Sequence, residues 1–341
     1  MSTPLLQRFK LSGGGGSALK VRVIGVLAFQ LLLVVIFGVL APRFLSWDNA
    51  QSILFTAAIL AMAAAGQTLV VLTGNLDLSV GSIMGLCAYV VFDVASQHTW
   101  LMGLTVPFAI LLGAALGAIN GLLVTYLKIP AMVATLGTLS VYRGMVSFYA
   151  NAMEVTSGEL PGWIRDLATA RWLGLSSYVW IAAGLVALVG LVLSRLPWGR
   201  KLYAYGSNPR AAYYYGLNEN RILIGAYVAA GAIAGFVGLL LGAQVGNINS
   251  LVASGFEMQV LAAVVIGGVS IWGGSGSVYG AALGAIVLAT INNGLVLLGV
   301  QEFYRLLFQG VAIVAAVAVD ALVQKRVLSA TSRRSILEVA A

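Results

Sequence analysis

The chain has 341 residues, of which 60% are hydrophobic and 9% are charged, and its mean hydropathy is +0.97. Soluble domains contain about 45–50% apolar and ~25% charged residues, so this composition excludes a soluble enzyme, a disordered protein and a secreted disulfide-rich scaffold. Apolar blocks of about 20 residues recur along the chain, which is typical of membrane helices and not of a transmembrane barrel. We therefore expect an all-α, polytopic membrane helical bundle.

Side-chain chemistry narrows the function classes further. The one cysteine, Cys87, and the one histidine, His98, exclude an internal disulfide and a thiolate metal cluster. The net charge of +8 comes from basic residues in a few short loops, which indicates membrane topology and not nucleic-acid binding. We expect no cofactor, no metal and no nucleic-acid partner, and the lipid bilayer is the expected environment.

Taken in chain order, the hydrophobic pattern predicts about ten spans. They are placed at 23–41, 51–72, 79–97, 104–127, 131–150, 178–195, 222–243, 258–271, 278–299 and 304–323. One transmembrane domain, 23–323, is thus predicted between an N-terminal tail, 1–22, and a C-terminal tail, 324–341. No soluble domain of even about 50 residues fits between the spans, so the energy source must be another chain or an ion gradient.

The distribution of charge predicts the orientation of the bundle. Fourteen of the nineteen basic residues fall on one side when ten spans are counted. That side includes both tails and the 196–221 loop, so the positive-inside rule makes both termini cytoplasmic. The 151–177 loop falls outside, where a proline opens and a glycine closes a stretch of helical periodicity. We predict a short surface helix over 161–173, with or without a partner.

Glycine-rich segments interrupt the spans near 73–82 and 267–280. The second segment has no lysine, which argues against a phosphate-binding loop. Transporters often use interrupted helices in corresponding parts of a repeat, where freed backbone groups line a polar cavity. Elsewhere, small residues recur at four-residue spacing, as at Gly113, Gly117 and Gly121 and at Gly231 and Gly235, and predict tight helix packing.

Polar residues in or near the spans are candidates for the translocation pathway or its gating. They are Asn75, Asp77, Ser79, Ser82, Asn120, Asn292 and Asn293. A carboxylate at membrane depth, as at Asp77, is costly and functional by default. Asp77 has two other interpretations, as the cap of a helix beginning at Leu78 or as a residue at the membrane edge. The asparagines have the alternative of interhelical hydrogen bonding.

The cytoplasmic loop contains a predicted two-turn helix, Pro209–Tyr215. Asn208 suits its N-cap, Pro209 its first turn and Gly216 the position after its end. An isolated helix of this length is unstable in water, so it must dock on its own bundle or on a partner.

Four ordered blocks resemble the permease subunits of bacterial sugar-type ABC importers, the ribose permease family. The blocks are Gly74–Ser82, Asn120–Val124 with Lys128–Gly144, Gly199–Leu217 and Ala262–Ser277, and the resemblance covers about residues 45–323. Lys128–Gly144 and Gly81–Ala88 are most similar to the autoinducer-2 and rhamnose permeases. The sequence departs from the family pattern in two places. Many relatives have glycine at Asn75, and many have acidic residues where Pro209 and Arg210 stand.

The resemblance implies a non-catalytic subunit of the bacterial cytoplasmic (inner) membrane that imports a sugar or sugar-like molecule by alternating access. It implies three partners: cytoplasmic ATP-binding subunits, an extracytoplasmic solute-binding protein, and a second permease subunit, either a copy or a homologue. It makes 208–217 the helix that couples to the ATPase. The coupling residues are then Asn208, Pro209, Arg210, Ala211, Ala212, Tyr213, Tyr214, Tyr215 and Gly216. Arg165 and Arg171, in the outer loop, are the candidate contacts to the binding protein.

Two other function classes compete with this interpretation. An ion-coupled secondary carrier for a small polar solute usually has acidic or histidine relays within the membrane, which are scarce here. An integral-membrane enzyme needs paired carboxylates, a histidine cluster or a nucleophile with its base, and the sequence offers none of these. Vanadate sensitivity and ionophore insensitivity of uptake distinguish an ATP-driven importer from a carrier.

Overall fold

The computed structural model describes residues 14–98, 103–156, 162–311 and the single positions 314, 317 and 318. The larger helices are α1 (Gly14–Leu40), α2 (Trp47–Val71), α3 (Val80–Gln97), α4 (Thr105–Thr125), α5 (Ala131–Ala150), α7 (Ser177–Arg195), α10 (Glu219–Val245) and α12 (Val278–Leu297). The shorter ones are α6 (Gly162–Thr169), α8 (Pro197–Ser207), α9 (Pro209–Tyr214), α11 (Phe256–Ile266) and a 3₁₀ turn, Pro42–Leu45. Residues 302–311 are also helical. The C-terminal tail and most of the N-terminal tail lie outside the described residues.

Seven of the described helices are long and apolar enough to cross a membrane: α1 from Val23 onwards, α2, α3, α4, α7, α10 and α12. This confirms the all-α polytopic bundle. Helix α5 covers its whole predicted span but carries Arg143 and several hydroxyl side chains, and it is not among the seven. The count of about ten spans is therefore approximate. Helix α1 begins at Gly14, well before the predicted span at 23.

The span predicted at 258–271 is a half-helix. Helix α11 has 11 residues, which at ~1.5 Å per residue is ~16 Å, about half the bilayer core. The segment before it, 247–255, enters the bundle beside α3. A Cβ added at Gly85 would lie 2.7 Å from the carbonyl oxygen of Val252, and one added at Gly81 would lie 2.9 Å from that of Ala253. The connection between α10 and α11 is thus re-entrant.

Glycines permit the close packing of α4 on α10, as their spacing predicts. A Cβ at Gly113 would collide with the carbonyl oxygen of Gly231, and one at Gly117 with that of Tyr227. From the other side, a Cβ at Gly235 would collide with the carbonyl oxygen of Ala109. The two backbones are therefore in direct contact, which is the geometry that small residues allow in membrane helices.

Helix α2 is the centre of the bundle. Most of its residues after Ile53 are buried, and they include the alanine-rich run Ala57–Ala65. Small side chains on every face let α2 contact α7, α10, α11 and α12 at once. Helix α1 is peripheral, because only 11% of its residues from Val23 to Leu40 are buried, and it packs mainly on α12.

The outer loop differs from the predicted helix over 161–173. Helix α6 ends at Thr169, and a hairpin follows, formed by strands β2 (Arg171–Trp172) and β3 (Leu175–Ser176). Leu173 and Gly174 between them have φ of 51° and 79°, the combination that a two-residue type I′ turn requires. A second antiparallel pair joins β1 (Val155–Thr156) to β4 (Asn247–Ile248). The closing glycine therefore forms the turn of a hairpin and does not end a helix.

Non-helical chain occupies 72–79 and 267–277, close to the predicted interruptions. These two segments touch each other through their backbones. The Gly274 amide donates to the Leu72 carbonyl oxygen at 2.9 Å, and a Cβ at Gly74 would lie 3.2 Å from the carbonyl oxygen of Trp272. The helix pairs α2–α3 and α11–α12 thus meet at their connections.

Candidate functional site

A buried polar network lies where 72–79 enters α3. The Asn120 side-chain amide donates to the Ser79 hydroxyl at 2.7 Å, and that hydroxyl donates to Asp77 Oδ1 at 2.6 Å. The same Asp77 oxygen accepts from the Ser79 amide at 2.8 Å. Asp77 is 1% exposed and the other two are fully buried. These bonds connect α4 to the start of α3 in surroundings of low dielectric, where hydrogen bonds are strengthened.

Asp77 does not cap α3, because its carboxylate accepts from the Ser79 amide, which lies before the first residue of the helix. Helix α3 begins at Val80, and Asp77 closes a turn onto Ser79 just before it. The predicted helix start at Leu78 is therefore two residues early. The Asp77 carbonyl also accepts from Gln67 Nε2 at 3.0 Å, which ties the turn to α2.

Three polar atoms around this network have no hydrogen-bond partner among the described residues. They are Asn120 Oδ1, Gln67 Oε1 and the Tyr227 hydroxyl, and all three are buried. A buried polar atom without a protein partner is costly and needs an explanation such as bound water or a functional role. The network is therefore incompletely satisfied in this conformation.

The other predicted pathway residues are distributed more widely. The Ser82 hydroxyl donates to the Ser79 carbonyl at 2.7 Å, so Ser82 belongs to the network. Asn75 is half-buried and donates to the Thr73 hydroxyl at 3.0 Å. Asn292 is remote from both and accepts from Arg305 at 3.1 Å in a separate cavity between α2, α11 and α12. Asn293 has a buried side-chain oxygen without a partner. The structure thus brings together four of the seven: Asp77, Ser79, Ser82 and Asn120.

The coupling segment is a short capped helix, with the cap that its sequence predicts. The Asn208 side chain accepts from the Ala211 amide at 3.0 Å, and Gly216 has φ of 74° just beyond the helix. Helix α9 ends at Tyr214, one residue earlier than expected.

One side of α9 faces the bundle and the other is open. Ala212 is 5% exposed, whereas Tyr213, Tyr214 and Tyr215 are 74%, 86% and 87% exposed. Asn208, Pro209, Arg210 and Gly216 are also exposed, and Ala211 is half-buried. Ala212 therefore positions the helix on its own bundle, and the three tyrosines form the outward surface.

Glu219, at the start of α10, joins α8 to the connection between α4 and α5. Its carboxylate lies 3.7 Å from Lys128 Nζ and is hydrogen-bonded to Tyr205 of α8. Burial, followed by the charge of Glu219 and its hydrogen bond, raises the pKa of the Tyr205 phenol to about 12. The phenol is thus neutral at physiological pH and serves as a hydrogen-bond donor.

Helix α8 contacts the meeting point of 72–79 and 267–277. A Cβ at Gly206 would collide with the carbonyl oxygen of Leu72, and one at Gly274 would lie 2.7 Å from Cβ of Ser207. The Tyr203 hydroxyl donates to the Gly276 carbonyl at 3.0 Å. The two segments and α8 therefore form one junction, defined by Leu72, Gly206 and Gly274, that lies between α9 and the Asp77 network.

Sequence reasoning missed the arginine within the predicted span 131–150. Arg143, in α5, donates from both terminal nitrogens, to the carbonyl oxygens of Val252 and Ala253, each at 2.7 Å. Glu257 interacts electrostatically with Arg143, and its Oε2 is buried without a hydrogen bond. Ala253 has φ of 58°, a left-handed conformation that is costly for alanine. The signal was available, since Arg143 is the one charged residue within the span 131–150.

Of the two arginines predicted to contact the binding protein, the structure describes the side chain of one. Arg171 is exposed on β2 and lines a cleft that also contains Asp48, Gln51 and Thr169. Arg165 belongs to α6, but its side chain lies outside the described part of the chain.

Comparison with known proteins gives a consistent result. The family described as "Branched-chain amino acid transport system / permease component" matches residues 49–317. The protein "Autoinducer 2 import system permease protein LsrC" of Photorhabdus laumondii subsp. laumondii is 36% identical over 88% of this chain and 89% of its own length. Its namesake in Escherichia coli O157:H7 is 37% identical over 88% and 86%, and that of Yersinia enterocolitica is 36% identical over 85% and 80%. No solved structure matches the chain.

Proposed function

This chain belongs to the family of permease components of ABC importers, and from that premise we propose how its residues carry out import. It is a non-catalytic, multi-pass subunit of the inner membrane, and ATP hydrolysis and substrate capture belong to partner chains. The proposed substrate is a sugar-like molecule of the autoinducer-2 type, because several relatives of about 36% identity are named for that import.

We propose that α9 is the docking surface for the ATPase. The observation that carries this proposal is the exposure of Tyr213, Tyr214 and Tyr215, at 74–87%, on a helix fixed to the bundle through buried Ala212. Tyrosine is enriched at interface hot spots. A short helix held in this way moves as a unit when its partner moves.

The proposed transmission route starts at α9 and passes through α8. Leu72, Gly206 and Gly274 are in backbone contact, and backbone packed this closely does not compress. A displacement of α8 therefore shifts 72–79, which contains Asp77. The Asp77 network is proposed to hold the closed arrangement, and its unpartnered atoms find partners when the segment rearranges.

We propose that both termini are cytoplasmic and that a second permease subunit, a copy or a homologue, completes the pathway. The orientation is supported by the basic residues of the loop that carries α8 and α9, such as Arg195, Arg200, Lys201, Arg210 and Arg221. The same orientation puts Arg165 and Arg171 outside, where they are the proposed contacts to the acidic groups of the binding protein. Charge reversal at both should weaken that complex in a salt-sensitive manner, and unchanged affinity at low salt would contradict this contact.

The function is tested by uptake into proteoliposomes that contain the permease, its co-purifying ATPase and its binding protein. We expect uptake of autoinducer 2 that requires ATP on the side of the membrane where the ATPase is bound. This uptake should be inhibited by vanadate and should continue in the presence of ionophores. Uptake without ATP that collapses with an ionophore would identify an ion-coupled carrier instead. Uptake of leucine but not of autoinducer 2 would contradict the sugar-like substrate while retaining the importer.

A further inference from the structure

We propose that a cleft at the C-terminal ends of α3 and α5 binds a neutral polyhydroxylated molecule of the sugar class. The proposal rests on the proposed import of a sugar-like substrate and adds a site where that substrate is received. The cleft has a volume of about 510 Å³, within the ~300–1,000 Å³ typical of small-molecule sites. Its lining includes Tyr89, Asp93, Gln97, Tyr149, Asn151 and Glu154.

The polar part of the cleft is an oriented carboxylate. Tyr149 donates its hydroxyl to Asp93 Oδ2 at 2.7 Å, and Gln97 Nε2 donates to both carboxylate oxygens at 3.0 Å. An ionised carboxylate has about four acceptor positions, so Asp93 keeps acceptor capacity for the hydroxyls of a ligand. Donors from two helices fix its direction in advance, which reduces the entropy lost on binding.

The apolar part of the cleft is the ring of Tyr149, which packs edge-to-face against the buried ring of Tyr89. Tyr89 and Tyr149 have centroids 5.9 Å apart and planes at 89°. The Tyr89 hydroxyl is held by the Met153 carbonyl at 3.1 Å, and 47% of Tyr149 is exposed. Aromatic faces provide rigid apolar contact area for the C–H faces of a sugar ring. The combination of the exposed Tyr149 ring with directed acceptors matches a molecule that carries both C–H faces and hydroxyls.

The remaining wall is held in a costly backbone conformation. Helix α5 ends in two consecutive left-handed residues, Asn151 and Ala152, with φ of 44° and 64°. The chain then reaches Glu154, whose Oε2 accepts from Asn247 at 2.9 Å beside the β1–β4 pair. Left-handed residues that carry a Cβ are concentrated at ligand clamps and switch regions.

The charge of the lining excludes one class of ligand. Asp93 and Glu154 are its charged side chains among the described residues, and both are acidic, so an anionic ligand is disfavoured. The site is also distinct from the Asp77 network. Asp93 follows Ser79 by 14 residues of α3, a distance of ~21 Å along the helix axis. In the proposed orientation the cleft opens outside, where a substrate leaves its binding protein.

Saturation-transfer NMR on the purified full-length permease tests the site without the partner proteins. The probes are ribose, with autoinducer 2 as the second polyol and leucine as a zwitterion of similar size. The variants are Tyr149→Ala, Tyr149→Phe and Asp93→Asn. The matched control is Tyr126→Ala, because Tyr126 is 64% exposed and follows the C-terminal end of α4, away from the cleft. Size-exclusion profiles establish that each variant remains folded.

We expect saturation transfer to ribose and autoinducer 2 and not to leucine. Tyr149→Ala should weaken polyol binding about tenfold, while Tyr149→Phe retains the ring and weakens it less. Asp93→Asn should also weaken it, and Tyr126→Ala should leave it unchanged. Absence of polyol binding to the unsubstituted protein, or equal binding by well-folded Tyr149→Ala, would overturn the site. Neither result bears on ATP-dependent uptake, so the proposed importer function is decided separately, by the proteoliposome experiment.

Discussion

At the residue scale, Asp77 is best understood through the groups that it satisfies. It accepts from the amide and the hydroxyl of Ser79, and through Ser79 it is linked to Asn120. Asparagine at position 77 keeps one acceptor for these donors, whereas leucine keeps none. Each buried donor left without an acceptor costs about 1–3 kcal/mol.

We therefore predict that Asp77→Leu lowers the yield and the thermal stability of the permease, and that Asp77→Asn has a much smaller effect. The measurement is the melting temperature in detergent, followed by uptake with the assembled importer. If Asp77→Asn abolishes transport while stability and assembly are normal, the charge itself is required and the structural account is wrong.

Arg143 is the second residue with a specific expectation. Its two bonds to the carbonyls of Val252 and Ala253 hold the re-entrant segment against α3 and α5. Charge-assisted bonds of this kind contribute about 1.5–3 kcal/mol each. We predict that Arg143→Ala destabilises the permease strongly, because it also leaves the Glu257 carboxylate without its neighbouring cation.

Glu257→Gln provides the matched test of this account. In the Arg143→Ala background, Glu257→Gln should raise the melting temperature part of the way back to that of the unsubstituted protein. A charged group left without its partner destabilises a protein more than a neutral amide in the same place does. The Arg143→Lys variant keeps the charge but not the two-pronged geometry and should be intermediate. Strictly additive losses in the double variant would contradict an interaction between the two residues.

At the scale of elements, the glycine contact of α4 and α10 sets the distance between these helices. A Cβ at Gly231 would collide with the Gly113 carbonyl and lie 2.9 Å from Cα of Gly117. We predict that Gly231→Ala forces the helices apart and destabilises the bundle by ~1–3 kcal/mol. Gly184→Ala in α7 is the control, because nothing lies within 4 Å of a Cβ there. Equal melting temperatures for the two variants would contradict direct backbone packing.

The structure also changes what a substitution in α9 would report. Ala212→Glu is an apparent way to disrupt the docking surface, but Ala212 is 5% exposed and packs on its own bundle. A carboxylate placed there would be buried without a partner and would disturb the permease itself. The exposed tyrosines of α9 are the cleaner targets, because their removal leaves the packing of the bundle unchanged.

The elements that the sequence predicts well are those set by local rules. The Asn208 cap, the helix after Pro209 and the glycine contacts follow from residue type and spacing alone. The half-helix α11 and the hairpin after α6 do not, because both depend on long-range contacts. The segment before α11 is held by Arg143, which is 109 residues from Val252 in the sequence. The turn after α6 requires a left-handed conformation at Leu173, which leucine rarely adopts. Apolar periodicity describes neither contact.

At the scale of the whole molecule, the bundle is organised as two helix pairs whose connections meet. The pairs α2–α3 and α11–α12 touch at Leu72 and Gly274, and α8 contacts both connections. This junction lies between the Asp77 network and α9. The Asp77 carboxylate was recognisable from sequence as a costly group, but its link to Asn120, 43 residues away, required the fold. The arrangement gives a partner bound at α9 a short mechanical connection to the buried polar residues.

The most direct test of the account is whether the ATPase binds through α9. The measurement is the amount of ATPase that co-purifies with the tagged permease when Tyr213, Tyr214 and Tyr215 are replaced together by alanine. The control replaces Tyr126 and Tyr304, which are 64% and 53% exposed elsewhere. The account predicts loss of most of the ATPase from the α9 variant, a single sharp size-exclusion peak for its permease, and full retention in the control. Full retention of the ATPase and normal uptake in the α9 variant would contradict it.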